Sequence, residues 1–124
     1  YIIVQVILNR RYRKDSIEIA ERLYLESMEF CSKFHVGETA ETHISNIFMT
    51  FFFYGLTDLF TISGYDKKKK KAVLNGWMKN PNIQKAAVHA EVRRTVQKVA
   101  VFLVKHKMTR ALEGLFILKS FSRR

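Results

Sequence analysis

Four histidines, one cysteine and a single carboxylate inside an apolar run are the side chains of this 124-residue chain with the widest chemical repertoire. His35, His43, His89 and His106 contain no pair four residues apart, the spacing that sets two imidazoles on one helical face as metal ligands. Cys31 stands alone, which excludes an intramolecular disulfide and a cysteine metal cluster. Asp58 is the only charge between Ile44 and Ile62 and the one carboxylate placed to act as an interior acid. Its plainer roles are to pair with a basic side chain or to face a wet seam between helices. No GxxxxGK[ST] phosphate loop, GxSxG elbow or HExxH zinc helix occurs in the chain. The reading is therefore non-enzymatic, with no catalytic residue, no metal and no cofactor.

Charge is the stronger chemical signal. The formal net charge is +11, unevenly distributed. Residues 1–14 hold four bases and no acid; residues 15–66 hold nine acids and two bases; residues 67–124 hold sixteen bases and two acids. Such asymmetry points to an acidic partner or to self-complementary association. The candidate anion-binding and partner-binding residues are Lys67, Lys68, Lys69, Lys70 and Lys71, a consecutive run, together with Arg94, Lys98 and Lys105. At a helix N-terminus the lysine run opposes the macrodipole by about 0.3–1 kcal/mol per residue before screening. It is thus either a solvated end or one used on an anion. Sixteen bases also supply ample phosphate contacts, which makes nucleic acid an alternative partner. The aromatics fall at core spacing, however, and form no evident stacking platform.

The elements that must position these groups are helical. Ile44–Ile62 holds five of the ten phenylalanines and is the most apolar stretch of the chain. At 19 residues a helix here spans about 28 Å, close to the thickness of bilayer hydrocarbon. Asp58, the hydroxyls of Ser45, Thr50, Thr57 and Thr61, and Asn46 argue instead for the central helix of a bundle. Gly55 within it marks the close approach of another helix or a small kink. A phenylalanine-rich helix can also line a pocket for a small apolar ligand, the third functional reading.

Upstream, 15–35 is an amphipathic helix with Asp15 as a candidate cap. Ile17, Ala20, Leu23, Tyr24, Met28, Cys31 and Phe34 share its apolar face. Gly37 suits the left-handed position after that helix. Downstream, Asp66 caps a helix over 67–79 with Val73, Leu74, Trp77 and Met78 inward, and Asn80-Pro81 starts the next. That helix runs to about residue 106, with Val88, Val92, Val96, Val99 and Leu103 as its buried stripe. A last one spans 110–121 on Leu112, Leu115, Phe116 and Phe121. No proline or glycine lies between residues 82 and 113, so a single long helix is the alternative there.

The expected fold is all-α, a bundle of four or five helices around residues 44–62, with 15–124 as one domain. Residues 1–14 form a separate apolar and basic segment. YIIVQVIL is too short to span a membrane, yet the basic residues after Asn9 follow the positive-inside pattern. The segment reads either as the end of a truncated membrane anchor or as a short strand or turn capping the bundle. The expected function is a helical interaction module in a larger assembly, near a membrane or free of one. It would meet an acidic protein surface or a second copy, with an anionic membrane surface as another partner. A lone cysteine on an apolar face fits a cytoplasmic or other reducing compartment.

Overall fold

The computed structural model describes residues 15–35, 37–92 and 95–122. Among them the chain is all-α, with six helices and no strand. These are α1 (Ser16–Phe34), α2 (Glu38–Thr61), α3 (Lys67–Met78), α4 (Pro81–His89), α5 (Thr95–Lys105) and α6 (Thr109–Ser122). Segment 1–14 lies outside the described residues, and with it both readings of that segment.

The apolar stretch is central, as expected, and its helix is longer than expected. α2 starts at Glu38, six residues before Ile44, and packs against α1, α3, α4 and α6. Phe48, Met49, Phe52, Leu56 and Leu59 are fully enclosed there by Leu74, Ile83, Val104 and Leu112 from four other helices. Aromatic rings knit the layers: Tyr24 stacks on Phe48 at 4.7 Å, and Trp77 meets Phe52 edge-on at 6.0 Å. The hydroxyls of Thr50, Thr57 and Thr61 are satisfied within the helix itself. Thr50 Oγ1 donates to the Asn46 carbonyl at 2.9 Å and Thr57 Oγ1 to the Phe53 carbonyl at 3.0 Å, the back-bonding that lets threonine sit in an apolar helix. Among the described residues, no helix is long and apolar enough to cross a membrane.

Gly55 does mark a close approach. A Cβ at that position would lie 2.7 Å from Ile17 Cδ1, so α1 packs against bare α2 backbone there. Ile17, Ala20, Tyr24 and Cys31 of α1 are buried and Met28 partly so, as the apolar face requires. Leu23 and Phe34 are not: they are 54% and 59% exposed. The reason is that α1 has one extensive neighbour, α2, and a single neighbour covers a narrower arc than α1's apolar face spans. The left-handed residue closing α1 is His35 (φ 51°), whose N–H donates to the Cys31 carbonyl; Gly37 (φ 92°) instead precedes α2.

Segment 81–106 is two helices rather than one, which raises the expected four or five to six. Ala90 is extended (φ −73°, ψ 137°), and the Glu91 N–H donates to Asn46 Oδ1 on α2 at 2.7 Å. A side chain 45 residues away thus captures the backbone where no local breaker stands. The break resets the helical phase, so the predicted stripe holds only in part: Leu103 is buried and Val92 partly so, while Val88, Val96 and Val99 are exposed. Ile83, Ala86 and Ala87 of α4 and Ala100, Val101 and Val104 of α5 are buried in their place. α5 ends on Lys107 (φ 55°), with the Lys107 N–H on the Val104 carbonyl and the Met108 N–H on the Leu103 carbonyl, the Schellman pattern. Leu112 and Phe116 of α6 are buried as expected, whereas the Phe121 side chain lies outside the described residues.

Candidate functional site

The lysine run occupies the first turns of α3 behind the expected cap. Asp66 Oδ1 accepts from the Lys69 N–H at 2.8 Å, placing one carboxylate at a helix end otherwise crowded with cations. Lys67, Lys68, Lys69 and Lys71 are exposed. Lys69 Nζ lies over the Tyr65 ring, 4.2 Å from its centroid. Lys70 is half-buried, and its Nζ donates to the Phe60 carbonyl at 3.4 Å. Two of the five lysines therefore have partners within the chain, and three point into solvent.

The rest of the predicted basic set stands elsewhere. Lys98 and Lys105 are exposed on α5, which packs on α4 and α6, while α3 packs on α2, α4 and α6. Arg94 lies outside the described residues. Seven of the eight candidates therefore stand on two helices, five at the start of α3 and two on α5.

No chemistry-bearing group converges. Among the described residues, no three His, Cys, Asp or Glu side chains are grouped to hold a metal ion. His43 and His89 are exposed, and His106 is exposed with its ring 4.4 Å from that of Phe102. Asp58 is half-buried in the last turn of α2, and Cys31 is buried. Among the described residues, the titrating group with a clear perturbation is Tyr24. Burial raises its phenol above the ordinary tyrosine value; the nearby Ser45 hydroxyl lowers it, and the Glu41 carboxylate raises it further. Tyr24 Oη and Ser45 Oγ are both enclosed, and neither forms a well-shaped hydrogen bond, so Ser45 acts on the phenol by proximity.

A second surface escapes the sequence reading. α1 and α2 leave Ile19, Leu23, Phe30, Ile47, Phe51 and Tyr54 between 40% and 58% exposed. All of these but Tyr54 border adjoining hollows along the α1–α2 seam. Leu23, Ile47 and Phe51 line one, Ile19, Leu23 and Phe51 the next, and Phe30 and Ile44 a third. Phe34 continues the face by packing its ring 4.6 Å from that of Phe30. The hollows are open to solvent along the seam, a shape suited to a docked surface more than to an enclosed small molecule. The signal was in the sequence: α1 carries Ile19, Leu23, Phe30 and Phe34 besides its buried residues, more apolar surface than one neighbour covers.

No protein-family model, curated protein or solved structure matches the chain.

Proposed function

We propose that the chain is a non-enzymatic helical interaction module, a single bundle domain that works within a larger assembly. The observation carrying this reading is the α1–α2 apolar face. Monomeric soluble proteins seldom expose contiguous apolar patches above a few hundred Å², and larger ones mark interaction sites. Four aromatics and three aliphatics of α1 and α2, each 40% to 59% exposed, offer apolar surface of that kind. The buried Cys31 agrees with the cytoplasmic or other reducing compartment assigned to the module.

A photo-crosslinking side chain in place of Phe51, in cells expressing the full chain, tests the proposal. Discrete adducts of higher mass are expected there and not with the same group at Val99, an exposed position on α5. No adduct above the Val99 control would end this reading.

A second partner class, an acidic surface or nucleic acid, is favoured by one observation. Lys67, Lys68 and Lys71 are exposed at the start of α3, within reach of an external anion.

A further inference from the structure

We infer that the occupant of the α1–α2 apolar face is the same face of a second copy of this chain, joined to it by a two-fold axis. The inference rests on the interaction-module reading and commits it to one partner.

Area is the first argument. With each aromatic presenting 150–250 Å² when fully exposed, the half-exposed side chains of this face add up to on the order of 700 Å². A standard interface takes about 800 Å² from each partner. Two copies meeting here therefore bury what a stable dimer needs without recruiting further surface.

Shape is the second. α1, ending at Phe34, and α2, starting at Glu38, pack on one another as a hairpin, and α2 turns its other sides to α3, α4 and α6. A helical hairpin with one open apolar seam is half of a four-helix arrangement. A second identical hairpin supplies the other half, its protruding Leu23 and Phe51 seating in the facing seam. A two-fold interface requires such a self-complementary patch, with ridges and hollows on one surface.

Charge is the third argument, and it separates a second copy from a membrane. The ridge of α1 bordering the face carries Glu18, Arg22, Glu26, Glu29 and Lys33, all exposed, three acids and two bases. An interfacial membrane helix instead surrounds its apolar face with lysine and arginine, whereas this ridge carries more acids than bases.

Sedimentation of the full chain, residues 1–124, over a concentration series at low and high salt tests the inference. The expected species is a dimer of twice 14.6 kDa whose association holds or strengthens as salt rises. Leu23→Glu/Phe51→Glu changes two exposed positions and should weaken association roughly tenfold or more. Val99→Glu, on the exposed side of α5, should leave it unchanged. Circular dichroism establishes that each variant stays helical. A native chain that is monomeric throughout overturns the inference. So does a dimer indifferent to the double variant, or one that dissolves with salt, as pairing between the acidic and basic halves would. A monomer that dimerises only after residues 1–9 are removed also overturns it, since that segment then holds the face. If the native chain is monomeric while the Phe51 crosslinker still captures another protein, the module reading stands and the second copy is wrong.

Discussion

Ile17 and Gly55 meet where α1 crosses α2, and the contact makes the glycine a spacing device. Gly55→Ala needs only a rotation of the Ile17 tip, and the alanine gains about 1 kcal/mol of helix propensity, so the two effects nearly cancel. Gly55→Val adds bulk that such a rotation cannot clear and should destabilise by about 1–3 kcal/mol. Urea midpoints of both variants check this; a valine variant as stable as the native protein would mean that the crossing is loose. Tyr24 offers a second test at this scale. Burial holds its phenol above the ordinary value of about 10. Its stabilising contribution is therefore complete below that value and is lost as pH rises through the elevated one. Tyr24→Phe has no proton to lose and removes an enclosed hydroxyl without a well-shaped hydrogen bond. It should match or exceed native stability at pH 7, and its advantage should widen above pH 10. Denaturation across that range checks it, and parallel pH profiles would refute the assignment.

Among the elements, the turn between α3 and α4 ties the two halves of the fold. Asn80 Oδ1 caps α4 by accepting from the Asn82 N–H at 2.9 Å, and its Nδ2 donates to Glu21 Oε2 on α1. Pro81 follows at the first helical position, where its missing N–H costs nothing. Asn80→Ala removes cap and cross-link together and should cost about 1–2 kcal/mol. Asn80→Asp keeps the capping oxygen but sets a carboxylate against Glu21, so its smaller loss isolates the cross-link. Thermal unfolding of the two variants decides; equal losses would show that the Glu21 contact is the dominant role. The asparagine cap and the proline were legible in the sequence as a local signal. The Glu21 contact, 59 residues away, was not.

Across the whole molecule, acid-rich 15–66 builds α1 and α2, which also carry the apolar face, and base-rich 67–124 builds the remaining helices. The lysine end of α3 and the pair on α5 stand on different helices, so their contributions to anion binding can be tested apart. Replacing Lys67, Lys68, Lys69 and Lys71 together by Gln should weaken binding of a labelled polyglutamate or nucleic-acid duplex and flatten its salt dependence. Replacing Lys98 and Lys105 should have the smaller effect, because two charges neutralise fewer anions. Anisotropy titrations at two salt concentrations measure both. Equal binding by all three proteins would place the anion contact elsewhere.

Local and periodic features were readable before folding was considered. The all-α class, the central place of 44–62, the Asp66 and Asn80 caps and the close approach at Gly55 each follow from spacing, propensity or steric size within a few residues. Tertiary structure decided what depends on distant partners. The α4–α5 break exists because Asn46 captures the Glu91 N–H, and periodicity holds no record of a bond across 45 residues. Leu23 and Phe34 fit the apolar face of α1 by angle, yet burial requires a neighbour on that side, and α1 has only α2 as an extensive one. The same cause leaves the α1–α2 seam open: hydropathy tells how much apolar surface a helix carries, and only the packing tells how much of it the rest of the chain covers.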